Sequence, residues 1–443
     1  MADGTLPAAT VDAIRAAVAA RRDDLVDLTT ALIAVDSTNA SYAEARHAPG
    51  GESRVGAVLG ERCAAIGMRV ERVGPDPARQ NVVAVAPGSG GGRSLLLNGH
   101  MDTVPPADPP AWTTADPRRA EQRDGRLIGL GAADMKGPLA AGWAAIAALR
   151  DAGVTLAGEV QLHGVVGEEA MEHEIGTSGV LRAGFVADAA INLEPTSATL
   201  AVASPGYRSL TIRVRGRSTH HGNRRLTLLP GGEAFGVNAL EKAVLVVRAL
   251  QELERRWAAE PLHPSFRAEA FTLHPGSFEA VGAPGLPAPV FFPADARLEY
   301  GLWYPPGWSG REVEQRVEAF VAEWCADDAW LTAHPPSFAW GYDWPGFDTA
   351  WEAPIVGAVA GAIETVTGTP VPRATPATPA AVGASVDSTW IERAGIPVVT
   401  FGPGAMQVAH SPDEHVDVDE LERAATVLAV AIAGWCGVEE GRR

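Results

Sequence analysis

The sequence predicts an α/β fold with a mixed sheet, interrupted by a smaller α+β domain. Three observations carry this. Residues 1–205 alternate helical periodicity with short apolar runs, the pattern of strands buried between helices. At Ser204-Pro205-Gly206 the texture changes to strict polar/apolar alternation, the mark of antiparallel strands wet on one side. Beyond residue 338 the first texture returns. A chain of 443 residues also exceeds what one hydrophobic core usually supports. The expected division is 1–205 and 339–443 for the major domain and 206–338 for the insertion.

In chain order, "VDAIRAAVAARRDDLVDLTTALIAV" reads as helix, with apolar residues recurring at three and four. "NVVAVA", "SLLLNGH", "EVQLHGVVG" and "AAINLEP" read as buried strands ended by Gly, Pro or charge. "MKGPLAAGWAAIAALRDAG" reads as a helix, with Pro138 in its first turn and Gly153 at its stop. Within the insertion, "SLTIRVRGRS" puts Leu210, Ile212 and Val214 on one face and Thr211, Arg213 and Arg215 on the other. The helix "FGVNALEKAVLVVRALQELERRW", the strand "ARLEYGLWY" and the helix "REVEQRVEAFVAEWC" follow. The closing part offers a helix at "APIVGAVAGAIETVTG", a strand at "IPVVTFGPG" and a terminal helix at "VDVDELERAATVLAVAIAGWC".

Hydrophobic content of 46% with 20% charged residues is ordinary for a soluble globular protein. A net charge of -18 argues against nucleic acid and anionic membranes as partners. No apolar run approaches the length of a membrane span, and the N-terminus lacks a signal-peptide pattern. Cys63, Cys325 and Cys436 are scattered and form no CxxC pair, so neither a disulfide framework nor a thiolate metal site is expected. These features suggest a cytoplasmic protein.

The chemistry gathers where apolar runs end. His100 and Asp102 follow "SLLLNG", Glu168 and Glu169 follow "QLHGVVG", and Glu194 follows "AAINL". Asp134 lies in the glycine-rich turn "GLGAADMKG", and His410 follows the last strand. Open α/β sheets present ligand-binding residues at the carboxyl ends of their strands. Taken singly, each has an ordinary role: a hydrogen-bonded histidine, a solvated Glu-Glu pair, a helix-capping aspartate. Taken together, the carboxylates would repel one another unless a cation joined them. Imidazoles and carboxylates without thiolates suit zinc, cobalt or manganese.

"NGHMDTVP", "GLGAADMKG", "GVVGEEA", "INLEP" and "AHSPDEH" resemble, in order and spacing, the motifs of the di-zinc aminoacylase, carboxypeptidase and deacylase family. The resemblance implies a metallopeptidase catalytic domain with an inserted lid and dimerisation domain, hence a homodimer. It implies two divalent ions, zinc above all, with His100, Asp134 and Glu194 on one, Asp134, Glu169 and His410 on the other, and Asp134 as the bridge. Asp102 would orient His100, and Glu168 would act as general base toward a metal-activated water. "GRSTHHG" resembles the segment that supplies an imidazole to the oxyanion, which points to His220, with His221 its alternative.

The resemblance breaks at the substrate. The family's carboxylate-binding arginine and asparagine positions fall on Trp303 and Val290, and "VDSTW" keeps Asp387 but has Thr389 where an arginine is usual. Trp303 reads either as a flat surface for substrate or as packing within the lid. Arg224 and Arg225, in the long segment "HGNRRLTLLPGGEAF", read as a substitute clamp or as solvated loop charges. The expectation is hydrolysis of an amide or related C–N bond whose amine side is aromatic or apolar. The alternatives are a di- or carboxypeptidase or acyl-amino-acid deacylase of unusual specificity, an aminohydrolase of aromatic amines, and a non-catalytic metal-binding protein.

Overall fold

A computed structural model describes residues 6–47, 49–259, 263–267, 271–281 and 290–439. The first strands are β1 (Arg69–Val73), β2 (Asn81–Ala86), β3 (Leu95–His100), β4 (Glu121–Arg123), β5 (Arg126–Ile128), β6 (Val160–Val165) and β7 (Ala189–Asn192). Then come β8 (Gly206–Arg215), β9 (Thr272–Val281), β10 (Asp295–Tyr304) and β11 (Ser337–Trp344). The last are β12 (Val398–Thr400) and β13 (His415–Asp417).

The chain divides into two compact units: Met1–Ala203 with Thr349–Arg373 and Ala380–Arg443, and Ser204–Asp348 with Ala374–Pro379. The first unit holds a six-stranded mixed sheet in the order β1-β2-β6-β3-β7-β12. β6, β3, β7 and β12 run parallel, while β1 and β2 join antiparallel at one edge. Every residue of β3, β6, β7 and β12 is buried, which is why these strands read as unbroken apolar runs. Their parallel direction brings His100, the 168–169 turn, Glu194 and the loop to His410 to the same end of the sheet. A separate three-stranded sheet runs β13-β5-β4.

The helix Lys136–Asp151 is apolar nearly all round because it lies under other elements on all sides, among them the helix Val418–Cys436. Gly99 permits its close approach to β3: a Cβ there would stand 2.8 Å from Leu139 Cδ2. Gly153, at φ +69°, ends the helix as expected. The N-terminal helical pattern is two helices, Ala8–Ala20 and Arg22–Ile33, broken at Arg21, whose guanidinium pairs with Asp24 and Asp151.

The second unit is an antiparallel sheet, β11-β8-β10-β9, packed on the helices Ala239–Ala258 and Gly310–Trp324. Leu210, Ile212 and Val214 are buried, and Arg213 and Arg215 exposed, as their alternation requires. The unit runs to Asp348, past the expected end at 338, because "SFAWGYDW" forms β11 and pairs with β8. β9 was not anticipated either; it carries Pro275, which a strand tolerates at a sheet edge. Cys63, Cys325 and Cys436 are free and buried. No helix among the described residues is long and apolar enough to cross a membrane.

Candidate metal centre

Two groups of three donors converge at the carboxyl end of the large sheet. His100, Asp134 and Glu194 form one, and Asp134, Glu169 and His410 the other; within each, one ligand atom per residue lies within 4.8 Å of the rest. Asp134 is common to both. His100 Nε2 stands 3.0 Å from Asp134 Oδ1 and 3.8 Å from Glu194 Oε1. His410 Nε2 stands 3.0 Å from Glu169 Oε2 and 3.4 Å from Asp134 Oδ2. The donors come from the ends of β3, β6 and β7, the turn before the Lys136 helix and the loop after β12. His410 sits at φ 57°, in the left-handed region.

The electrostatics ask for positive charge. Burial, together with Glu194, Asp387 and Glu169 and against the pull of His100, holds the Glu168 carboxyl well above the usual range. Burial likewise raises Glu194, with Asp134 adding to it. At His100 burial opposes protonation, but the bond to Asp134 and the charges of Glu194 and Glu168 override it and raise the imidazole far above its ordinary value. His410, against its own burial, is pushed up to about 11 by Asp134 and Glu169. The surrounding carboxylates thus draw both imidazoles toward their protonated forms. Glu194 Oε1 and Asp102 Oδ1 are buried without a hydrogen-bond partner. A paired divalent-cation site fits this donor set, since cations would replace those protons and satisfy the orphaned Glu194 oxygen.

The surrounding bonds aim the donors. His100 Nδ1–H donates to the Asp102 backbone carbonyl at 3.0 Å, which leaves Nε2 free as a ligand. The Asp102 carboxylate is farther from that nitrogen, 3.6 Å, and its Oδ2 instead accepts Asn39 Nδ2–H at 2.7 Å and the Glu169 backbone N–H at 3.0 Å. Tyr42 O–H donates to the Glu169 carbonyl. Buried Glu52 accepts the Gly167 N–H and a two-pronged bond from Arg79, which also reaches Glu172. Glu168 Oε2, 4.0 Å from His100 Nε2, belongs to neither triad. Asn39, Tyr42, Glu52 and Glu414 escaped the sequence reading, because nothing local distinguishes a bracing residue from any other polar one.

The expected substrate residues are divided between the two units. Asp387 and Thr389 are buried; Asp387 Oδ2 accepts Thr177 O–H at 2.6 Å, and burial raises its carboxyl to about 6 despite that bond. In the second unit, Trp303 packs on Tyr207 with ring centroids 4.9 Å apart. The Val290 carbonyl accepts His221 Nδ1–H at 3.1 Å. Arg224 pairs with Glu241 at 2.6 Å. His220 Nδ1 accepts the Gly222 N–H at 3.1 Å.

Against this geometry, the sequence profile of peptidase family M20/M25/M40 matches residues 96–433, from β3 into the last helix. The chain belongs to that family. It is a hydrolase of the M20 type. An N-formyl-4-amino-5-aminomethyl-2-methylpyrimidine deformylase of Halalkalibacterium halodurans is 33% identical over 386 residues, covering 84% of this chain and 87% of the relative. A Bacillus subtilis protein of the same name is 29% identical over 427 residues, covering 94% and 95%. Among solved structures, human carnosine dipeptidase 1 superposes with a TM-score of 0.69 at 17% identity, over 97% of this chain and all of that one, a likeness of M20 fold.

Proposed function

We propose that this M20 enzyme hydrolyses the amide of a small N-formyl or short N-acyl amine whose amine side is a flat heteroaromatic group, with an N-formyl aminomethylpyrimidine as the leading substrate. The observation that carries the substrate class is the 33% identity, over most of both chains, to a deformylase of such a compound. The departures at Trp303, Val290 and Thr389 support it, because a site without the usual polar clamp has less to offer a substrate carboxylate.

His100, Asp134 and Glu194 would hold one divalent ion, and Asp134, Glu169 and His410 the other. Bound there, two cations supply the charge that polarises an amide carbonyl and acidifies water. The remaining work belongs to side chains. Glu168, beside the ligands and bound to neither triad, takes the proton of the attacking water and delivers it to the amine nitrogen as the C–N bond breaks. The products are formate, or another short acid, and a free amine. Asp102 holds the loop that carries the ligand Glu169 and, through its own carbonyl, the orientation of His100.

For the oxyanion donor, the hydrogen bonds favour His220 over His221. Gly222 N–H occupies His220 Nδ1, so the neutral ring carries its proton on Nε2, available to donate. His221 spends its Nδ1–H on Val290, leaving Nε2 an acceptor. A homodimer through the second unit is also proposed. Leu228, Leu229, Phe235, Leu240 and Val244 are exposed there within one short stretch, an apolar surface that a second copy would cover.

The test is a panel assayed with zinc-, cobalt- and manganese-loaded protein: the N-formyl aminomethylpyrimidine, N-acetylornithine and dipeptides, followed by release of acid and amine. Turnover of the pyrimidine at least tenfold above the others is expected. Faster turnover of N-acetylornithine would reject the substrate class and leave the hydrolase intact.

A further inference from the structure

We infer that Glu414 is a positioning residue that ties the two ligand-bearing loops together and thereby sets the affinity of the paired cation site; this rests on the two-cation reading above. Glu414 is 1% exposed and lies four residues beyond His410, just before β13. Its Oε1 accepts the backbone N–H groups of Ala133 and Asp134, each at 2.9 Å, and its Oε2 accepts that of Gly131 at 3.0 Å. Its backbone carbonyl accepts the Gly129 N–H at 2.8 Å. One residue therefore holds the turn that ends at Asp134, the carboxylate shared by both triads.

The turn itself leaves little slack. Gly131 sits at φ +82°, and a Cβ there would stand 2.9 Å from Lys136 Cδ and 3.1 Å from Thr103 Cγ2. Because Glu414 belongs to the segment that carries His410, its three bonds fasten that segment to the Asp134 turn. Three converging N–H donors require a group that only accepts, on both of its oxygens. An ionised carboxylate is such a group, whereas the isosteric amide of glutamine turns one end into a donor facing donors. Glu414 belongs to neither donor triad; its action passes through Asp134 and His410.

The chemistry separates positioning from packing. Glu414→Gln keeps the volume and loses an acceptor; Glu414→Asp keeps both acceptors and leaves a void. The purified full chain, stripped by chelator, is titrated with Zn(II) against a chromophoric chelator and with Co(II) followed by its visible absorption. The parent is expected to take up two ions. E414Q is expected to bind about 10–100-fold more weakly, with an altered Co(II) spectrum, and E414D to fall between the two. Parent-like affinity and spectrum in E414Q overturn the inference, as does E414D binding more weakly than E414Q, the order a packing residue gives. Should E414Q not fold, E414D decides alone: weakened binding with a shifted spectrum supports the role, and parent values reject it. A parent protein that takes up no ions would instead overturn the two-cation reading itself.

Discussion

The Oδ2 atom of Asp102 accepts the backbone N–H of Glu169 at 3.0 Å, so the loop after β3 holds the loop after β6. The same oxygen takes Asn39 Nδ2–H, and its residue's carbonyl takes His100 Nδ1–H. Asp102 thus serves a candidate donor of each triad. Asp102→Asn puts an amide where two donors converge, and should weaken uptake at both cation positions by about 10–100-fold. Chelator-competition titration of each stoichiometric step checks this; weakening confined to the His100 position would show that the bond to Glu169 contributes nothing.

Glu168 stands beside both triads and belongs to neither. Glu168→Gln should therefore retain two ions per chain by elemental analysis while kcat falls by about 10²- to 10⁴-fold with KM little changed. Loss of metal together with activity would reassign Glu168 as a ligand.

His163, buried in β6 with Nε2–H donating to Gln161 Oε1 at 2.8 Å, is held neutral, its imidazole lowered by burial to about 3. Between the unfolded value of about 6.5 and that folded value, the unfolded chain binds a proton that the folded chain refuses. Stability should therefore fall as pH drops through this window, by up to about 1.4 kcal/mol per pH unit from this group. His163→Leu should flatten the acid limb of urea-unfolding free energy measured from pH 7 to 4; an unchanged slope would place the acid sensitivity elsewhere.

Much of the catalytic unit was legible because its strands are buried on both faces. "SLLLNGH" and "AAINLEP" announce both a strand and the place where it stops being apolar, and the residue at the stop, His100 or Glu194, joins a donor triad. Asp134 was visible through its glycines. What escaped was held by tertiary context: β9 hides behind Pro275, β11 behind an aromatic run that alternates only weakly, and the break at Arg21 behind continuous helical periodicity. Glu414 escaped for a related reason. Its three partners lie some 280 residues upstream, and no local pattern marks an acceptor whose donors are that distant.

His100, Asp134 and Glu194 are all buried, whereas the side chain of His410 is 50% exposed. The two halves of the centre thus meet the solvent on unequal terms. An ion held by His410 would have one solvent-exposed ligand; one held by His100, Asp134 and Glu194 would have only buried ones. Brief exposure to a soft chelator should strip the protein to a one-ion form that persists, with the second ion departing far more slowly in a stopped-flow dye assay. Purified preparations would then carry a fractional metal content that reflects their handling, and their activity would return on adding back a single equivalent.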